Sequence, residues 1–323
     1  MMTDRFKTNH EAQTAVLEAD RDFVLSGFPL YLKKGVGLNL YAECQSFSGL
    51  IIGKGHNSYR GYWIQIDENQ IIPWRYETEA QAGTPIPHGL TIREYLMVTV
   101  CFGNDGKPQV ILSTLGGGFQ TKLLEETFEL CGEAFLRGAQ RMMNVKFSAA
   151  AADIRRDVWI FGDSYLGIWD TRIGGQLKKM GFFDGLLLEG LAGAGSPLMY
   201  RELENLLEMG APKEILWMLG MNDTAAVFQT HVEKVKHLCE SRGIGLCIYR
   251  IPPVPGKENE EKSRIVIQSG LPYVDAWKAV GGRLDGTWYE GYLSGDLVHP
   301  TELGAKAIAA RILVDFPSIF TAL

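Results

Sequence analysis

Residues 158–165 read Val-Trp-Ile-Phe-Gly-Asp-Ser-Tyr. The apolar run Val158 to Phe161 is too short for a helix, and a glycine and a polar pair end it. Such runs suit strands buried on both faces of a parallel sheet. The rhythm returns downstream in Gly185 to Leu188, Ile215 to Leu219 and Leu246 to Ile251, each bounded by Gly or Pro. Helical stretches lie between them, for example Ser196 to Met209 and Ala225 to Ser241, and a last helix, about Thr301 to Val314, follows Pro300. Ser196 followed by Pro197 reads as an N-cap and first-turn pair. Residues 151–323 are therefore expected to form an α/β domain, a three-layer doubly wound parallel sheet of the flavodoxin-like kind.

Upstream, the period changes to two. Gly49 to Ile52, Gly61 to Ile66, Ile71 to Tyr76 and Met97 to Phe102 read as strands, separated by turns at Gly53-Lys54-Gly55, Asp67-Glu68-Asn69 and Asn104-Asp105-Gly106. Many short strands with close turns predict an antiparallel all-β domain over residues 1–150, a sandwich or a barrel, of which the sandwich is expected. The alanines 149–152 with Asp153 mark the junction.

Composition narrows the class. With 46% hydrophobic and 22% charged residues, 37 Gly and 13 Pro, the chain is neither disordered nor collagen-like nor a simple coiled coil. A net charge of −6 without any basic stretch argues against nucleic acid or an anionic membrane as partner. No window reaches the roughly 18 apolar residues of a membrane span. The polar N-terminus does not read as a signal peptide. The cysteines (Cys44, Cys101, Cys131, Cys239, Cys247) are odd in number and form no CxxC pair, so reduced thiols in a cytoplasmic protein are expected. No HExxH or paired-carboxylate site suggests a metal, the glycines do not spell GxGxxG, and no cofactor is expected.

In open α/β sheets function gathers beyond the carboxyl ends of the strands. There lie Gly162-Asp163-Ser164, then Gly190-Leu191-Ala192-Gly193-Ala194-Gly195, then Gly220-Met221-Asn222-Asp223. Asp296-Leu297-Val298-His299-Pro300 precedes the last helix. Together they supply a hydroxyl, glycine amides, a side-chain amide, and an imidazole with a carboxylate three residues away, the inventory for acyl transfer. A serine hydroxyl needs a base to take its proton, and an imidazole with an ordinary pKa of ~6.5 suits that task. Asp296 would fix the tautomer of His299. Of the six histidines, His10, His56 and His88 lie in the other half, while His231 and His237 read as the solvated face of a Lys- and Glu-rich helix. Asp163 is expected to brace the turn.

These four blocks resemble those of the SGNH (GDSL-type) hydrolases, over the last 173 residues. The resemblance implies Ser164 as nucleophile, Asp296 and His299 as the rest of the triad, and Ser164, Gly193 and Asn222 as the oxyanion hole. Gly195 remains an alternative to Gly193, because the asparagine often found before these glycines is replaced here by Glu189-Gly190. Tyr165 stands where the family usually has leucine and is expected to touch only the pocket wall. A GxSxG elbow is absent, so the α/β-hydrolase reading fails.

The aromatic strands before residue 150 (Tyr59, Tyr62, Trp63, Trp74, Tyr76) resemble jelly-roll or lectin-like modules joined to sugar-deacylating SGNH domains. The expected function is a serine esterase acting on short, acetyl-like esters, with a small-molecule or saccharide ester as substrate. Trp277, Trp288 and Tyr289, in the stretch Ala276 to Gly295, would serve as aromatic platforms on a polar rim. A lipid esterase or thioesterase of the same fold, or a non-catalytic carbohydrate-binding protein, are the alternatives.

Overall fold

The computed structural model describes residues 17–19, 23–24, 30–32, 37–54, 61–76, 78–93, 95–114, 117–123, 130–136, 140–150, 154–167 and 170–322. The chain divides into two compact units, Met1–Ser148 and Ala149–Leu323.

The first unit holds two sheets. One orders its six strands Leu17–Ala19, Gln140–Ala150, Gly37–Ser46, Tyr95–Phe102, Pro108–Thr114 and Gly117–Lys122. The other runs Phe23–Val24, Leu130–Leu136, Leu50–Lys54, Gly61–Ile66, Gln70–Tyr76 and Ala80–Ala82. Leu30–Leu32 and Ile86–Pro87 pair at its sides. Their inner faces follow the period of two. Leu38, Leu40, Val98, Val100, Val110 and Leu112 of the first sheet share one core cluster with Leu50, Ile52, Ile64, Ile66 and Ile71 of the second. Each such side chain contributes about 1.5–3 kcal/mol on burial, which makes this cluster the main support of the sandwich. The strand Tyr95–Phe102 departs from simple alternation, because its other face is buried too. Met97, Thr99 and Cys101 are inaccessible, and the Thr99 hydroxyl donates to Asn39 Oδ1 at 2.5 Å. Its near-continuous apolar run follows from that.

Trp63 and Trp74 stand opposite each other on paired strands and stack face to face, 5.4 Å apart and 6° from parallel. The Trp74 indole N–H donates to Gln65 Oε1, and the Arg75 guanidinium lies 5.7 Å from the Tyr62 ring. Tyr59, Gly55, His10, His56, Ala151, Ala152 and Asp153 lie outside the described residues, as do the side chains of Tyr76 and Cys131.

The second unit is a five-stranded parallel sheet of β1 (Val158–Gly162), β2 (Leu186–Gly190), β3 (Glu214–Met218), β4 (Gly245–Arg250) and β5 (Tyr273–Asp275). Their spatial order is β2-β1-β3-β4-β5, and every pair is parallel. β1 and β2 are buried along their whole length, as continuous apolar runs require. The helices are α1 (Ile173–Lys179), α2 (Ser196–Leu207), α3 (Ala225–Arg242), α4 (Asn259–Gln268), α5 (Ala276–Ala279) and α6 (Glu302–Asp315). α1 and α5 pack on α6, whereas α2 packs on α3 and α3 on α4. With right-handed crossovers this pairing puts one layer on each face of the sheet. The strand order reverses between β1 and β3, the switch point at which open α/β sheets carry their sites.

Two expectations need correction. Ser196 is the first helical residue of α2 and Gly195 its N-cap. The capping carboxylate comes from Asp223, which accepts the Ser196 N–H at 3.0 Å and its hydroxyl at 2.5 Å. His231 is buried, with Nδ1 2.9 Å from the Val227 carbonyl and its ring edge-on to Tyr200. It belongs to the packed stripe of α3, not to its solvated side.

Candidate active site

The turn bearing Ser164 begins where β1 ends. Gly162 closes the strand, and a Cβ there would sit 2.7 Å from Leu166 Cβ. Only a glycine lets the chain fold back so tightly, and Leu166 fills the space above the strand ends. Asp163 caps the short 3-10 turn Ser164–Leu166, its carboxylate accepting the Tyr165 N–H at 3.0 Å. Asp163 is buried, and burial pushes its carboxyl up to about 7, with the charge of Asp223 adding to the rise and the Tyr165 N–H opposing it.

Asp296 and His299 sit on a closed loop. Leu293 bridges to Pro300, and the Ser294 N–H donates to the His299 carbonyl at 2.9 Å. Asp296 Oδ1 gathers three donors: the Ser294 hydroxyl at 2.5 Å and the N–H groups of Val298 and His299, both at 2.9 Å. Its other oxygen lies 2.7 Å from His299 Nδ1. Partial burial alone would raise this carboxyl. The bonds from Ser294, His299 and Val298 outweigh burial and hold it well below the usual carboxylate range. His299 Nε2 lies 2.8 Å from Ser164 Oγ. With Nδ1–H donating to Asp296, Nε2 carries the lone pair that accepts the serine proton.

The remaining predicted residues lie in the neighbouring loops, beyond the same ends of β2 and β3. The Asn222 amide follows β3 and donates to the Ala194 carbonyl at 3.0 Å, with Asp163 Oδ2 a further 3.4 Å contact. That bond ties the loop after β3 to the loop after β2. Gly193 sits in this second loop with φ +71°, a left-handed conformation natural to glycine. Among the described residues the N–H groups of Ser164 and Gly193 meet no acceptor. Gly195 is needed for a different reason, because a Cβ there would lie 2.6 Å from Asp223 Oδ1.

Tyr165 does more than line a wall. It is buried, its hydroxyl donates to the Val298 carbonyl, and its ring centroid lies 5.8 Å from that of His299. Arg172, the N-cap of α1, is a second residue that sequence reasoning missed. It is buried and donates to the Thr171 carbonyl at 3.1 Å. Burial lowers its pKa, opposed by the charges of Asp296, Tyr165 and Asp163. No local pattern signals either role. Of the expected platforms, Trp277 donates its indole N–H to the Gly282 carbonyl at 2.9 Å and Trp288 to the Pro253 carbonyl at 2.5 Å, bonds that fix the edges of the rings, while Tyr289 is exposed.

Among the described residues no cluster of three His, Cys, Asp or Glu could hold a metal, and no helix is long and apolar enough to cross a membrane.

No family model and no curated protein matches the chain. Solved structures do resemble about half of it. A GDSL-like lipase from Bacteroides thetaiotaomicron aligns over 51% of this chain and 88% of its own, at 20% identity and a TM-score of 0.40. An acetylxylan esterase from Geobacillus stearothermophilus aligns over 50% and 93%, at 16% identity and a TM-score of 0.41.

Proposed function

We propose that the C-terminal unit is an SGNH-type serine esterase that hydrolyses short, acetyl-like esters, with a saccharide or other small molecule as the alcohol part. One observation carries this reading: a single imidazole, His299, bridges Ser164 Oγ at 2.8 Å and Asp296 at 2.7 Å. That arrangement is the geometric signature of an activated serine. It also favours an enzyme over a non-catalytic binding protein.

In this reading His299 Nε2 takes the hydroxyl proton as Ser164 Oγ forms a bond to the acyl carbon. The oxyanion meets the N–H groups of Ser164 and Gly193 and the amide of Asn222. Gly193 is preferred to Gly195, whose lack of a side chain is already accounted for by Asp223. As the bond to the alcohol oxygen breaks, Nε2–H returns the proton to that oxygen and the alcohol leaves. Water then attacks the acyl-serine with His299 again as base, releasing the acid and restoring Ser164. Asp296, held ionised by its donors, steadies the imidazolium at both stages.

The reading of short acyl groups rests on the stretch 276–295, which is rich in Gly, Trp and Tyr and holds no long apolar run. The residues of the β-sandwich resemble lectin-like modules, which supports a saccharide. The net charge of −6 fits neither nucleic acid nor an anionic membrane as partner. Cys239 and Cys247 are buried free thiols, which supports a cytoplasmic setting.

Acetate release from a panel of acetylated saccharides, with a series of acetyl, butyryl, octanoyl and palmitoyl esters beside it, tests the function. We expect acetate release and a kcat/KM that declines with acyl length. A kcat/KM that climbs beyond octanoyl would replace this reading with a lipid esterase.

A further inference from the structure

Leu297 stands between Asp296 and His299 with φ +59°, the one non-glycine among the described residues in the left-handed region. For a branched apolar residue that conformation is strained, and strain of this kind persists where the surrounding structure over-determines it. Here the surroundings are plain. The Leu297 N–H donates to the Ser294 carbonyl at 3.0 Å, and Asp296 Oδ1 accepts from the next two N–H groups. The loop that orients His299 thus imposes the left-handed residue, and a glycine would fill it without strain. The position nevertheless carries a leucine whose surface is 55% exposed, so core packing does not explain the side chain. It also has company. Of the seven exposed large hydrophobics among the described residues, Leu284, Tyr289, Leu297 and Leu303 fall in the twenty-residue segment that carries Asp296 and His299.

We propose that Leu297 is a specificity-determining residue that contacts the alcohol part of the ester. The inference rests on the esterase reading, which supplies the direction. His299 hands its proton to the departing alcohol oxygen, so the alcohol lies on the His299 side of Ser164. The oxyanion donors lie on the loops after β1, β2 and β3. A leucine two residues before the histidine therefore borders the alcohol, and it selects alcohols that present an apolar face, such as an aryl group or the C–H face of a sugar ring.

The test compares benzyl acetate with 2-hydroxyethyl acetate, which share the acyl group and differ in the apolar character of the alcohol. In the unaltered chain kcat/KM favours benzyl acetate. Leu297→Gly, which relieves the backbone, and Leu297→Asn, which tolerates the left-handed conformation without glycine's looseness, should each lower that ratio about tenfold, the usual worth of an apolar contact in a specificity site. The change should enter through KM. A folded variant that keeps the original ratio, or one in which both substrates decline in step, overturns the proposal. Turnover of neither ester by the unaltered chain overturns the esterase reading, and this inference with it.

Discussion

The hydroxyl of Tyr165, the residue after the serine, donates to the carbonyl of Val298, the residue before the histidine. The two lie 133 residues apart in sequence. This bond joins the turn after β1 to the loop before α6, and so sets the distance between Ser164 and His299 by a route that does not pass through the catalytic atoms. Tyr165→Phe should keep the fold, since the ring remains buried against the same neighbours. A net hydrogen bond contributes about 1 kcal/mol, so kcat should drop about fivefold while KM changes little. Steady-state kinetics beside a thermal melt check this. An unchanged kcat would mean that Asp163 and the closed loop position the pair without help.

Asn222→Ala should lower kcat by ~10²–10³, the common loss for one oxyanion donor, with little change in KM. The same amide tethers the Ala194 carbonyl, so a melting curve must accompany the kinetics. A rise in KM alone would make Asn222 a ground-state binding residue.

Asp296→Asn keeps an acceptor for the Val298 and His299 N–H groups but can turn an N–H toward His299 Nδ1. That favours the wrong tautomer, and kcat should fall by up to ~10⁴. A loss below about tenfold would reduce the triad to a dyad. The ionised carboxylate of Asp296 also supports the fold. Its folded pKa is depressed, so this support is present above the unfolded value of ~3.9 and is lost only as pH falls through the lower folded value.

Asp163 works in the opposite sense. Its folded pKa of about 7 lies above the unfolded ~3.9, so the folded state holds a proton that the unfolded chain has released. Its contribution to stability therefore declines as pH rises from about 4 to 7 and is flat above. Replacing it by Asp163→Asn removes that slope. The melting temperature of the variant minus that of the unaltered chain should grow between pH 5 and pH 8. A difference that stays constant would show that Asp163 is already ionised at pH 5.

Much of the site was legible because its signals are local. Ser164, Asn222, Asp296 and His299 each fall in a short polar block beyond an apolar run or before a helix, and the sheet order brings the ends of β1 and β3 together at the switch point. What was not legible depends on packing between distant segments. Tyr165 and Val298 are one example, and Asp223 capping Ser196 from 27 residues away is another. The helix α1 was hidden by Gly174 and Gly175, poor helix formers. Gly174 is there because a Cβ would lie 2.4 Å from the Leu166 carbonyl. The burial of His231 could have been read, however. Phe228, His231, Val232, Val235 and Cys239 share one stripe at helical spacing, although charged residues flank it in sequence.

Ser164 acts as a nucleophile only if His299 activates it. Treating the intact chain with a fluorophosphonate and mapping the adduct by peptide mass spectrometry tests it directly. One adduct is expected, on Ser164, and it fails to form in the His299→Ala chain while that chain still melts cooperatively. No adduct on the folded protein, an adduct on another residue, or labelling of Ser164 at the same rate without His299 would contradict it.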